Sequence, residues 1–545
     1  MKKNIQKAID KISSLKSSIS HQKWIFVVYV LIVFLSAILL YSPITQNLES
    51  GNKRATFMDA IFTTASSFSD TGILTVPTYS QWNEFGQAII ALLILLGGIG
   101  VFSLKLFLIN WLFRKKSISL NEINLVNSER GSHNVSQTIR LVIVSLKFLL
   151  SAIVVFSFIL TLYFYYSEPT QTEGMKEFFN SKGITFNNPH RNFLLSLKFG
   201  IFHSISAINN AGFDIIGPNS LMPYYLNYFA QIMFVILFLL GGLGYPTIYD
   251  IRKFISHKIK RKSGKYNFSI FTKVSTLTYL ITAIIGFLIT FLFEYFSKDP
   301  NTFWNYEFHG KSFYGNDWQK TFAILFNILS TRSSGFATTD FNHFTSANTI
   351  IYSIFMFIGA APASTGGGIR TTTFAIIILS VFTKIIGLPN IRIFKRSIPN
   401  ETIYRSTQVF VISILLVLII SFICTTSSPV YSGKGSEFNN FSNYLFITSS
   451  AFGTCGLSSG LDLKDYNIAS KIALIILMFV GQFGISSTLL LWGRKRNYKN
   501  HFNYIESDVA IRLKKKKKNA RKLNYGVIFI IYEFHCMHQF SKLLF

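Results

Sequence analysis

The chain has 545 residues, half of them hydrophobic and only 14% charged, with a formal net charge of +29 and a mean hydropathy of +0.37. That much apolar side chain with so few charges excludes a soluble globule, whose surface carries most of its Lys, Arg, Asp and Glu. The basic excess would suit nucleic acid, but its distribution along the chain excludes that partner.

Apolar runs of 17 or more residues lie at 25–41, 88–113, 141–166, 226–248, 274–296, 349–386, 408–424 and 469–492. Each is long enough to cross a hydrocarbon core about 30 Å thick. The first follows a basic leader, 1–24, and shows no small-x-small cleavage site, so it reads as a retained span. Lys and Arg number 36 in that leader, in loops 114–140, 249–273 and 387–407, and in the tail after the last span; the other four loops hold only 12, against 15 acidic residues. Basic loops stay on the cytoplasmic side during insertion. The alternation predicts eight crossings of a lipid bilayer with both termini cytoplasmic.

The four outer loops are longer than turns require. Each holds a short apolar stretch ending in small residues: "SSFSDTGILT" (66–75), "SAINNAGFDI" (206–215), "STRSSGFATT" (330–339) and "SSAFGTCGLS" (449–458). Their shared glycines are Gly72, Gly212, Gly335 and Gly456, and each is followed 24 to 29 residues later by another: Gly97, Gly241, Gly359 and Gly481. Four such pairs in register with eight spans mark an internal repeat. The predicted fold is an all-α polytopic membrane protein of four pseudo-fourfold repeats, each a transmembrane helix, a re-entrant pore helix with a filter loop, and a second transmembrane helix. The repeats fall at 25–113, 141–248, 274–386 and 408–492, with a basic tail at 493–545.

Irregular backbone is tolerated at membrane depth only where it lines an aqueous cavity or is buried in protein. Glycine permits the positive φ or close approach that aims carbonyls inward, and rings of carbonyls can replace a cation's hydration shell. The C-terminal ends of the short helices add partial negative charge at the same place. A cation pore within one chain follows.

"INNAGF", "RSSGF" and "SSAFGTCGLS" resemble the second, third and fourth selectivity-filter loops of the Trk/Ktr/HKT superfamily of potassium transporters. "MFIGAAPASTGGGIRTTT" (356–373) is similar to the third inner helix of its bacterial Ktr branch. The resemblance spans all four repeats. It implies K+ as the transported ion, with Na+ as an activator allowed, a homodimer of pores in the plasma membrane, and a cytosolic nucleotide-binding regulatory subunit of the RCK type. The filter residues it implies are Asp70, Thr71 and Gly72; Asn210, Ala211 and Gly212; Ser333, Ser334 and Gly335; and Thr454, Cys455 and Gly456, coordinating K+ through backbone carbonyls.

Segment 349–386 is too long for one crossing. A break within a single crossing keeps the charge map intact, and Gly366, Gly367 and Gly368 would let the chain unwind there. The resemblance implies that this is an intramembrane gating loop; a helix kinked for tight packing is the plainer reading. Arg370 beside it should face the cavity or partner a carbonyl, since lipid exposure is costly.

Two positions depart from the family pattern. Asp70 is an acid where related loops carry small or apolar residues, and it is either an ion ligand or a side chain turned behind the filter toward a pore helix. Gln482 stands where relatives carry Arg, so either Arg370 substitutes for that charge or the gate is weaker.

Lys105, Lys147 and Lys384 read as interfacial side chains, and Cys455 as a small filler. Cys424, Cys455 and Cys536 are too scattered for a disulfide framework or a metal site. Lys514–Lys518 suits a solvated or lipid-facing surface, and "VIFIIYEF" (527–534) is too short to span. A Na+-permeable or Na+/K+ cotransporting relative is the alternative transporter. A membrane enzyme is disfavoured because no HExxH, GxSxG or paired carboxylates occur within the spans. Without a nucleotide-binding GK[ST] loop, the membrane potential would drive transport.

Overall fold

The computed structural model describes residues 21–47, 54–101, 103–104, 135–261, 264–394, 396–428 and 440–484. Lys105, most of loop 114–140, the end of the eighth run, the tail 493–545 with Lys514–Lys518 and 527–534, and Cys536 lie outside the described residues.

Each repeat begins with an outer helix: α1 (His21–Tyr41), α4 (Val135–Tyr166), α9 (Ile270–Tyr295) and α13 (Asn400–Thr425). These four are long and apolar enough to cross a membrane, and most of each lies outside the protein core. Val154 and Phe158 of α4 are 69% and 65% exposed; with no polar shell over them, such faces belong against lipid.

The pore helices are α2 (Phe57–Phe68), α6 (Phe193–Ile208), α10 (Asp317–Ser330) and α14 (Phe441–Gly453). Their starts are written in the sequence. Thr56 and Asp59 form a capping box on α2, and Asn316 and Gln319 form one on α10. Asn192 caps α6 by accepting from Leu195 N. Such caps satisfy amides that would otherwise be orphaned at a helix start.

The inner elements are α3 (Glu84–Ile99), the pair α7 (Tyr228–Gly242) and α8 (Tyr245–Ile259), the pair α11 (Ser346–Phe357) and α12 (Thr371–Ile386), and α15 (Ile468–Phe483). A further helix, α5 (Glu173–Ser181), packs with the hairpin β1 (Glu307–Phe308) and β2 (Lys311–Ser312). Lys311 bridges Glu177 at 2.7 Å and Glu173 at 3.4 Å between these elements.

The break in the third repeat was expected. The run 226–248, expected as one continuous span, is instead bent by 104° between α7 and α8. Gly244 takes φ 80, and Pro246 follows within the first turn of α8. Glycine reaches that backbone region without a Cβ penalty, and proline suits a helix start but not an interior. The same register recurs where α3 meets Gly100 at φ 87 and where α15 meets Gly484 at φ 83. The first three inner elements are therefore interrupted, and among the described residues the fourth ends at the corresponding glycine, Gly484.

The repeats close into a ring. Asp59 of α2 meets Lys471 of α15 at 3.6 Å, both nearly buried, joining the first repeat to the fourth. Ser333 Oγ donates to Gly453 O at 2.7 Å between the third and fourth.

Candidate functional site: a fourfold loop ring and its floor

After each pore helix the backbone makes the same excursion. A non-glycine residue takes positive φ, and a glycine two positions later does so again. The pairs are Asp70 (51) and Gly72 (83), Asn210 (58) and Gly212 (67), Ser333 (74) and Gly335 (79), and Thr454 (47) and Gly456 (90). Left-handed backbone is strained for residues with a Cβ and persists where the surroundings impose it. The residue between each pair ties its N–H back to the pore helix: Thr71 to Ser66 O at 2.9 Å, Ala211 to Ser206 O at 2.9 Å, Cys455 to Ser450 O at 2.8 Å, and Ser334 to Ser330 O at 2.9 Å. The third loop is one residue shorter over this stretch.

The four glycines touch in a cycle. A Cβ at Gly72 would stand 2.4 Å from Ala211 O, one at Gly212 would stand 2.9 Å from Ser334 O, one at Gly335 would stand 2.0 Å from Cys455 O, and one at Gly456 would stand 2.4 Å from Thr71 O. The carbonyls of Thr71, Ala211, Ser334 and Cys455 thus occupy the room that side chains would need. Every one of the twelve residues singled out from sequence lies in this ring or immediately beside it, and all but the half-buried Gly456 are buried.

The second set of glycines lets the inner helices press against the pore helices. A Cβ at Gly97, Gly241 or Gly481 would fall 2.0 Å from Phe68 O, Ile208 O or Phe452 O respectively. In the third repeat the corresponding neighbour of Gly359 is Gly367 O. There the segment between α11 and α12 folds back, its ends joined by a parallel bridge between Ile358 and Ile369.

This segment lies directly under the ring, contacting three of the loops itself and the first through Gln482. Gly367 N donates to Thr454 Oγ1 at 2.8 Å, and Gly366 lies against the Ser333 side chain. The Asn210 amide meets Thr365 Oγ1 at 3.1 Å. Asp70 connects through Gln482, whose Nε2 donates to Asp70 Oδ2 at 3.1 Å and to Thr365 O at 3.0 Å. Gly368 N also donates to Gly481 O, and Tyr245 N to Ala363 O. Asp70, read as either an ion ligand or a side chain turned toward a pore helix, thus has a side-chain partner on the fourth inner helix. Arg370 meets carbonyls as expected, those of Gly366 and, at 2.9 Å, Gln482.

Gln482 follows Gly481 as Gly98, Gly242 and Ala360 follow their own glycines. Three of these four positions have little or no side chain, which leaves room at the centre for one long one. The pseudo-symmetric position is therefore filled once, by an uncharged amide.

Arg332 was not singled out from sequence. It is 1% exposed, donates to Thr282 Oγ1 at 2.8 Å and to Gly359 O at 2.9 Å, and lies over the Tyr279 ring at 4.8 Å. It anchors the end of α11, where the helix dipole favours a cation. The available signal was an arginine inside an otherwise small-residue segment at membrane depth, which is costly without partners. Cys455 is buried, its Sγ 3.4 Å from Ser330 O, consistent with a filler. Among the described residues no cluster of three or more His, Cys, Asp or Glu could hold a metal.

The description "Cation transport protein", TrkH, belongs to the family that matches residues 28–500. An uncharacterized cation transporter of Mycoplasma genitalium is 32% identical, over 89% of this chain and 96% of that protein. The Ktr system potassium uptake protein D of Bacillus subtilis is 32% identical, over 92% of this chain and 99% of its own length. The crystal structure of the potassium transporter TrkH from Vibrio parahaemolyticus shares the fold, with a TM-score of 0.57 at 17% identity over 87% of this chain and 85% of that one. The chain belongs to the TrkH family of cation transport proteins, and is a membrane transporter rather than an enzyme.

Proposed function

We propose that the chain mediates K+ uptake across the plasma membrane, through a filter formed by the four glycine loops and gated by the segment 358–370. The cycle of carbonyls from Thr71, Ala211, Ser334 and Cys455 carries this reading. Four backbone oxygens around one axis suit a monovalent cation stripped of water, with no fixed charge to trap it. The printed function of the Bacillus subtilis relative, potassium uptake, supports K+ as the ion. Gly366, Gly367, Gly368, Arg370 and Gln482 would form the gate, because the segment is held by the second, third and fourth repeats directly and tied to the first through Gln482, and would block the axis until it moves. The membrane potential supplies about 2.3 kcal/mol per charge per 100 mV.

A homodimer, a cytosolic RCK-type regulatory subunit and activation by Na+ belong to the same proposal, with both termini and the tail 493–545 on the cytoplasmic side. One observation favours a Na+-permeable variant instead: Asp70 places a carboxylate two residues before the first ring glycine. The discriminating experiment is uptake in cells lacking their own K+ importers, with K+, Rb+ and Na+ offered separately. Uptake of K+ and Rb+ with little Na+ supports the carbonyl filter. Uptake dominated by Na+ overturns it in favour of the carboxylate.

A further inference from the structure

At the outer end of the third repeat, α9 and α11 face each other through a stripe of polar side chains remote from the ring. Thr290 and Glu294 are one turn apart on α9, and Asn348 and Tyr352 are one turn apart on α11. Spacings of four place each pair on one helical face. All four residues are completely buried.

The hydrogen bonding of the cluster is one-sided. Glu294 Oε1 accepts from Thr345 N at 3.0 Å, Thr345 Oγ1 at 3.2 Å and Asn348 Nδ2 at 2.6 Å. Asn348 Nδ2 is also 3.3 Å from Thr290 O. The amide nitrogen is thereby fixed toward α9 and its orientation set. By contrast Glu294 Oε2, Asn348 Oδ1, Thr290 Oγ1 and Tyr352 OH have no hydrogen-bond partner. The backbone N–H of Trp304 approaches the carboxylate without satisfying Oε2. Among the described residues, no ion pair joins Glu294 to a Lys, Arg or His.

Four buried oxygens without a partner, one on a carboxylate, one on an amide and two on hydroxyls, are expensive to leave unmatched. We propose that Thr290, Glu294, Asn348 and Tyr352 form a binding site for a monovalent alkali cation, separate from the conducting axis. The donor set is all oxygen, which selects a hard ion, and it carries a single negative charge. A single positive charge balances this one and leaves the buried cluster neutral. The site ties the outer end of α9 to the start of α11, the helix that leads into the segment beneath the ring. Its occupancy would therefore bear on how firmly that segment is framed. A proton on Glu294 Oε2, donated to Asn348 Oδ1, is the competing way to satisfy the same atoms.

The test is thermal unfolding of the purified full chain in nanodiscs, with NaCl, LiCl or KCl compared with choline chloride at equal ionic strength. Wild type, Glu294→Gln and Thr290→Val are compared. Ions on the conducting axis stabilise all three alike, so the quantity read is the difference between them. The expected result is a saturable rise in melting temperature with at least one alkali cation, part of which is lost in both variants. Thr290→Val removes only an unpartnered hydroxyl, so its melting temperature in choline should be unchanged or higher while the cation-dependent rise shrinks. An identical cation-dependent rise in all three proteins overturns the proposal, as does the absence of any rise in wild type. Full retention of the rise in Glu294→Gln, whose amide mimics the neutral acid, assigns the cluster to a proton instead and likewise overturns it.

Discussion

Gln482 Nε2 donates to Asp70 Oδ2 across 3.1 Å, linking the fourth inner helix to the first ring loop over 412 positions of sequence. The same nitrogen lies 3.0 Å from Thr365 O in the segment beneath the ring. The two departures from the family pattern are thus partners. A buried hydrogen bond to a charged group is worth about 1.5–3 kcal/mol, and each 1.4 kcal/mol is about tenfold in an equilibrium constant. Gln482→Ala and Asp70→Asn should each loosen the segment and raise Rb+ uptake, by up to about tenfold if its release limits the rate. Because they break one link, the double variant should exceed neither single by much. Additive effects in a double-variant cycle would show that the two residues act separately. Gln482→Arg should lower uptake by pairing a cation with Asp70, and Asp70→Asn should reverse that.

The ring glycines and the outlying glycines make a matched experiment. Gly335 has φ 79 and a virtual Cβ only 2.0 Å from Cys455 O, whereas Gly264 has φ 97 and nothing within 4 Å. Alanine at either position meets left-handed strain of about 1–2 kcal/mol. Only Gly335→Ala also collides with backbone, and it should abolish selective Rb+ uptake. Gly264→Ala should keep uptake near wild type and lose only a few degrees of melting temperature. Normal selectivity in Gly335→Ala, measured by competition between Rb+ and Na+, would remove the ring from the conduction path.

The Asp59–Lys471 pair holds the first and fourth repeats together from buried positions. Removing one member of a buried pair leaves a charge without its counterion and costs about 3–5 kcal/mol. Lys471→Met should therefore depress the yield of folded protein and the melting temperature. Asp59→Asn combined with Lys471→Met should recover part of the loss, since neither charge then remains. Equal melting temperatures for the single and double variants would mean that Lys471 contributes only through its bond to Lys464 O.

On the outer side, His343 Nδ1 lies 2.7 Å from Tyr314 OH, and its ring stacks on Tyr306 at 4.0 Å. Burial lowers its pKa from the ordinary value near 6.5, with Asp340 opposing. The folded protein therefore favours neutral imidazole. This stabilisation is present above the unfolded pKa of about 6.5 and declines as pH falls toward the lowered folded value. Melting temperature should fall more steeply between pH 7 and pH 5 in wild type than in His343→Gln. Parallel pH profiles would place the sensitive group elsewhere.

Much of the plan was legible in the residues. The apolar runs located the four outer helices. The paired glycines at 72 and 97, 212 and 241, 335 and 359, and 456 and 481 gave the fourfold order. The bend at Gly244 was missed because hydropathy reports composition and is blind to chain direction; "GGLGYP" stays apolar enough to pass for part of a straight span. Arg332 was missed because its neighbours Ser333, Ser334 and Gly335 carried the motif.

By itself, the sequence determined which segments bury in lipid, where the backbone can turn left-handed, and that the unit is repeated four times. Those properties are local or periodic, set by side-chain hydrophobicity and by the absence of a Cβ. Tertiary structure alone decided that Asp70 meets Gln482, that segment 358–370 sits beneath the ring, and that Glu294 faces Asn348. These contacts join residues 50 to 400 positions apart. They depend on the direction of individual polar atoms in a buried site, where a hydrogen bond made or left unmade is felt in full.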